Sequence, residues 1–181
     1  EWTDPEGLRT VRSELYVMRT ERTIDVTGQN EYELALESRG KNDLYLRFFD
    51  ELGNYFEDHI TVFLDKESPL IGIIEPTDLV NTSSPLIRWN GYDEFGIESF
   101  MIKVDLEPWM DMGTDKQLQT YDLGEGDHFI NIKAMDHAGN ERLYYWEFEV
   151  DTKGPNIRLN APLSGDMIKG PHLNIDWVVS D

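Results

Sequence analysis

The sequence predicts an all-β protein of antiparallel β-sandwich domains in tandem, on three observations. Apolar residues alternate with polar ones at period two in several runs: Ile60, Val62 and Leu64; Ile71 and Ile73; Ile87 and Trp89; Ile130, Ile132 and Ala134; Trp146, Phe148 and Val150. Every second side chain of such a run lands on one buried face. Turn residues interrupt these runs about every 8–12 residues, the spacing of a sandwich rather than of strands separated by helices. The chain also repeats itself. Leu44–Asn54 recurs as Ile130–Asn140, an offset of 86 from Asp50 to Asp136, and the same offset takes Asp65 to Asp151, Pro69 to Pro155, Ile71 to Ile157 and Pro76 to Pro162. Between Asp50 and Pro76 seven positions are identical without a gap, where chance at average residue usage gives about two.

Each element follows from this pattern. Asp50–Asn54 and Asp136–Asn140 read as hairpin turns, because Gly53 and Gly139 can take positive φ and the Asp side chain accepts backbone N–H groups. An offset of 88 links Pro85–Trp89 to Leu173–Trp177 and Asp93 to Asp181, and Trp2 reads as an earlier copy of Trp89, with Gly7 near the place of Gly96. A complete domain is expected over 66–151, with strands at 69–75, 85–90, 97–105, near 116–122, at 128–135 and at 143–150. Residues 1–65 then form a domain without its first strands, and 152–181 the first two strands of a further one. The fragments are complementary, which leaves two readings: arbitrary termini, or strand donation in which 152–181 of one copy completes 1–65 of another, as open edges and unburied apolar faces favour. Trp89, Trp146 and Trp177 are expected in cores. The best helical candidate, Leu106–Gln119, is weakened by Pro108 and Gly113.

At this point a resemblance is legible. The runs "IKAMDHAGN" and "WEFEVDTKGPNIRLNAPLSG" resemble the tandem immunoglobulin-like repeats, of fibronectin III or cadherin-like type, in bacterial and archaeal surface proteins. In that family "A-x-D-x-A-G-N" closes the penultimate strand. "V-D-x-x-x-P" leaves the last strand and enters the next domain. The resemblance covers most of 42–181 and implies a fold, tandem Ig-like antiparallel sandwiches, rather than one function.

Composition bounds the rest. The chain has 181 residues, 36 acidic against 16 basic, a net charge of −20 and no cysteine. The charge argues against a nucleic-acid or anionic-membrane partner. The missing cysteines exclude disulfide scaffolds, Fe–S clusters, cysteine-ligated zinc and thiol nucleophiles. At 39% hydrophobic and 12% aromatic the chain can build packed cores, so it is no disordered acidic tail. No signal peptide and no apolar run of about 20 residues is present, and the ends read as those of a piece of a longer polypeptide.

Few residues carry chemistry. Domain topology would gather Asp93 and Glu94, Asp136, and Asp65 and Glu67 at one junction, a candidate calcium site, since calcium takes about six to eight oxygens in flexible geometry. The competing reading is turn chemistry, with Asp50, Asp65, Asp136 and Asp151 accepting backbone N–H bonds. The four histidines lack zinc spacing, and His59 and His128 are expected as exposed strand residues. No Gly-x-Ser-x-Gly elbow, Walker loop or Gly-x-Gly-x-x-Gly occurs. Trp109, Met110 and Met112 lie in an insertion suited to stacking on a sugar or a protein. Asn81-Thr82-Ser83 is a glycosylation sequon. The expected function is a non-catalytic structural or adhesive module of an extracellular surface protein, a tandem-repeat spacer whose partners are neighbouring Ig-like domains of the same or another chain. Two alternatives stand beside it: a carbohydrate- or protein-binding module using the Trp109 loop, and an accessory domain of a secreted hydrolase.

Overall fold

The computed structural model describes residues 11–181; Trp2 and Gly7 lie outside them. The described residues are all-β apart from one short 3-10 turn, Met18–Thr20. They divide into two compact units, one of residues 11–68 with the turn Asp136–Asn140, the other of Pro69–Met135 with Glu141–Asp181.

The first unit is one antiparallel sheet of β1 (Arg12–Val17), β2 (Arg22–Asp25), β3 (Gly40–Phe49) and β4 (Tyr55–Leu64), in the order β2-β1-β3-β4. β3 and β4 pair from Gly40↔Leu64 to Phe49↔Tyr55. Their turn closes as the sequence predicts. Asp50 Oδ1 accepts the N–H groups of Leu52 and Asn54, both at 2.8 Å, and Oδ2 accepts Asn54 Nδ2 at 2.8 Å. Gly53 supplies φ 86°, a conformation that a Cβ would strain. Leu44 and Ile60 stand opposite each other in the ladder and so share a face. That face is only partly covered: Leu46 is 37% exposed and Ile60 58%. The buried Asn42 of this unit is satisfied, its Nδ2 donating to Ser38 O and Gly40 O at 2.9 and 2.8 Å.

The second unit holds β5 (Leu70–Glu75), β6 (Leu79–Val80), β7 (Leu86–Tyr92), β8 (Ile97–Val104), β9 (Met110–Gly113), β10 (Gln117–Gln119), β11 (Gly126–Asp136) and β12 (Glu141–Val150). They form a three-stranded sheet, β10-β7-β5, and a five-stranded sheet, β6-β12-β11-β8-β9. The core comes from both: Ile87 and Trp89 of β7 pack with Phe100, Ile102 and Val104 of β8 and with the alternating residues of β11 and β12. Trp89 meets Phe100 edge-on, ring centroids 6.0 Å apart. Gly91 is required there, because a Cβ at that position would come within 2.6 Å of the Phe100 ring. Strand positions agree with expectation to within about two residues over β5, β7, β8, β11 and β12, since each is fixed by its own alternation.

Three expectations are corrected. The helical candidate is instead β9 and β10 joined by a turn: Gly113 takes φ 51°, and Pro108 removes a donor a helix would need. His128 is buried, because it lies on the core side of β11 and its ring finds two hydrogen-bond partners. Trp177 is not in a core.

Trp177 lies on β14 (Asp176–Ser180), which pairs antiparallel with β13 (Asn156–Ala161) alone. Every residue of both strands is exposed, Trp177 at 57%. No second layer covers this pair among the described residues, so its apolar side chains have nothing to pack against.

Candidate functional site

Asp136 closes the turn after β11 with the hydrogen bonds seen at Asp50. Its Oδ1 accepts the N–H groups of Ala138 and Asn140 at 2.8 and 2.9 Å, and its Oδ2 accepts Asn140 Nδ2 at 2.9 Å. Unlike Asp50, Asp136 is fully buried. Burial opposes its charge, but the Asn140 side chain and the backbone N–H groups of the turn outweigh it and hold the carboxyl below its ordinary pKa.

Asp65 follows β4 and belongs to the same unit as that turn. Its Oδ1 accepts Glu67 N–H at 3.1 Å and lies 3.8 Å from Arg39 Nε, while Arg39 Nη1 reaches Glu67 at 3.4 Å. The equivalent Asp151 Oδ1 accepts Lys153 N–H at 3.0 Å, so the predicted turn chemistry recurs in both linkers. Asn140 Nδ2, besides bonding Asp136, donates to Asp65 O at 3.5 Å. The Asp65 side chain is 2% exposed, and its Oδ2 is buried without a hydrogen-bond partner. Asp65 and Asp136 each offer a carboxylate oxygen within 4.8 Å of the other's. Two carboxylates this close repel, and a buried, unpartnered oxygen carries a desolvation cost that a bound cation would relieve. The donors are all oxygen, which suits a hard cation such as calcium.

The remaining candidates are placed as follows. Asp93 follows β7 in the second unit and its Oδ1 accepts Phe95 N–H at 2.8 Å; Glu94 beside it is exposed. Trp109 precedes β9 and is half exposed, as is Met110, whereas Met112 packs against the core. Met110 stands opposite Ile102 on β8, which makes β9 the edge of the larger sheet. Asn81 is exposed in the loop between β6 and β7.

Two features escaped the sequence. His128 Nδ1 lies 2.8 Å from Asp105 Oδ2 and its Nε2 lies 2.9 Å from Gly124 O. Both partners are acceptors, so both ring nitrogens donate and the ring is imidazolium in this geometry. Burial works to lower its pKa, but the bond to Asp105 and the bond to Gly124 O prevail, and the pKa is raised. Asp105, at φ 51°, also accepts Phe129 N–H at 2.8 Å. The other feature is a groove of 540 Å³ on the first unit, floored by Leu15, Leu44, Leu46, Phe48 and Ile60 with Leu34 on its wall. The His128 network joins residues 23 apart and has no local signal; the groove needed knowledge of which faces find partners.

No family model matches the chain, and a search of curated proteins returns no significant match. Two solved structures with similar folds are the fibronectin(III)-like modules of CbhA from Clostridium thermocellum and a tetra-tandem repeat in the extending region of a large adhesion protein. The first is 19% identical with a TM-score of 0.43, and the match covers 82% of each chain. The second is 14% identical with a TM-score of 0.41, covering 83% of this chain and 44% of the other. Both likenesses are distant, and the all-β assignment rests on this chain's own sheets.

Proposed function

We propose that this chain is a non-catalytic, load-bearing spacer segment of an extracellular surface protein, with 66–151 as its complete Ig-like module. The observation that carries this reading is the pairing at the two ends of that module. β6 lies parallel to the end of β12, Leu79 opposite Glu149 and Val80 opposite Val150. Glu149 N–H donates to Asp78 O at 2.8 Å, and Asp151 N–H donates to Val80 O at 2.9 Å. The chain enters the module through β5, which pairs with β7 in the smaller sheet, passes on to β6, and leaves just after β12. Once tension has drawn β5 off β7, it slides β6 past the parallel end of β12 and loads both hydrogen bonds at once, instead of opening them one by one. A module closed in this way transmits force, the task of a spacer. In the same reading Asp65 and Asp136 hold a calcium ion that stiffens the turn and linker; when bound, the ion supplies the positive charge that the buried Asp65 oxygen lacks.

Single-molecule extension of the full chain tests it. Unfolding of 66–151 releases roughly 3.5 Å per residue, one resolved step of about 300 Å. Asp151→Pro removes one of the two loaded donors and lowers the force of that step while the thermal transition persists. A chain that extends without a resolved step, or a force untouched by Asp151→Pro, overturns the reading.

A further inference from the structure

We propose that His128 is a pH-operated latch on the chain leaving the sandwich: the protonated ring holds the loop between β10 and β11 so that Glu125 clamps Thr152, and the neutral ring lets both go. This goes beyond the spacer reading and does not rest on it. Every group involved lies within the second unit.

The loop is fastened in two places. Its first half is tied to residues 83–85 by bonds that do not titrate: Thr120 Oγ1 donates to Pro85 O at 2.7 Å, and Leu123 N–H donates to Ser83 O at 2.8 Å. Its second half, Gly124-Glu125, is exposed, and His128 Nε2 holds it at 2.9 Å from Gly124 O. Glu125 then reaches the chain just past β12. Thr152 N–H donates to Glu125 Oε2 at 3.2 Å, and the Thr152 hydroxyl donates to Oε1. Those two bonds, with the charge of Lys153, outweigh desolvation and hold the Glu125 carboxyl below its ordinary pKa. Glu125 therefore stays ionised while His128 titrates. Glycines stand on both sides of it, Gly124 and Gly126, and give this short segment the backbone freedom to swing once its tie is cut.

The tie depends on a proton. An imidazolium has two donors, whereas a neutral imidazole has one donor and one lone pair. His128 faces an acceptor on each side, Asp105 Oδ2 at 2.8 Å and Gly124 O at 2.9 Å. Asp105 is pinned, since its Oδ1 accepts Phe129 N–H at 2.8 Å. On losing its proton the ring keeps Nδ1–H on the carboxylate, the stronger acceptor, and turns a lone pair on Gly124 O. Two acceptors at that distance repel, and the loop moves off. The surroundings set where this happens. Asp105 faces the ring from the turn after β8, and Asp127 stands beside it on β11. The loop itself carries Asp122 and Glu125, and β12 contributes the uncharged Phe148 ring, centroids 5.6 Å apart. Burial works to lower the pKa of His128, but its two bonds and the charges of Asp105 and Asp127 raise it above 6.5. The latch is therefore shut below that value and opens as pH rises through the folded one.

Nuclear magnetic resonance of the full chain, titrated from mild acid to mild alkali, reads ring and latch together. The His128 ring titrates above 6.5, and Thr152 N–H follows with the same midpoint. Its signal moves upfield and its protection against exchange falls roughly tenfold, as loss of a bond to a charged group requires. Asp105→Asn keeps an oxygen for Phe129 N–H but removes the charge, so both midpoints move down together. His128→Gln, which takes no proton, leaves Thr152 weakly protected and flat across pH. Glu125→Gln weakens Thr152 protection at every pH while the ring still titrates. A ring that titrates at or below 6.5, a Thr152 signal that ignores the ring, or a Thr152 midpoint that stays put in Asp105→Asn overturns the proposal. Should Asp105→Asn fail to fold, His128→Gln decides: a Thr152 transition that persists without the imidazole overturns it too.

Discussion

Asp50 and Asp136 accept the same three hydrogen bonds in two copies of one turn, so replacing each by alanine compares one set of bonds in two surroundings. In Asp136→Ala the N–H groups of Ala138 and Asn140 and the Asn140 amide lose their acceptor around a fully buried carboxylate. A bond to a charged partner is worth about 1.5–3 kcal/mol net, and a donor left unsatisfied in a buried place costs about 1–3 kcal/mol. Some of these donors sit near the turn's surface and regain water, which leaves a loss of roughly 3 kcal/mol. For a domain of this size that lowers Tm by roughly 10–20 °C. Asp50 lies in an exposed hairpin where water replaces the carboxylate, and its variant shifts Tm far less. Both are measured in chelator, by circular dichroism and tryptophan fluorescence, the buried Trp89 reporting the second sandwich. The pH dependence gives a second check. The folded pKa of Asp136 lies below its ordinary 3.8, so its stabilisation is complete above that value and vanishes as pH falls through the lower folded one. Wild type and Asp136→Ala should therefore converge in acid. Equal losses in the two variants, or a gap that persists in acid, refute burial as the source of the difference.

Calcium added to the metal-free chain should raise the melting temperature, since a ligand at a hundred times its Kd stabilises by about 2.7 kcal/mol; the rise should be absent in Asp65→Asn, and no rise in wild type removes the ion. His128 predicts the opposite pH sense from Asp136. Its folded pKa is raised above 6.5, so its contribution is full below that value and is lost as pH rises through the folded one. His128→Asn should flatten the alkaline decline in stability measured by denaturant titration, and an unchanged decline would show that the ring is not its source.

The sequence determined the strands and their turns because those signals are local. Alternation sets which side chains share a face, and Asp-x-x-Gly-Asn sets the turn through groups within four residues of one another; both survive in the structure of either unit. It also determined the repeat, and with it the equivalence of Trp89 and Trp177. What alternation does not encode is whether a face meets another sheet. That is why Trp177, correctly placed on its strand, stands in solvent while Trp89 is buried, and why His128 turned inward to partners at Asp105 and Gly124. The candidate acids divide along the same line. Their places at turns and linkers were legible, since Asx turns are built from neighbours in the chain. That Asp65 would hold one oxygen buried and unpartnered near Asp136 was decided only by tertiary structure, because the two lie 71 positions apart and no local pattern couples them.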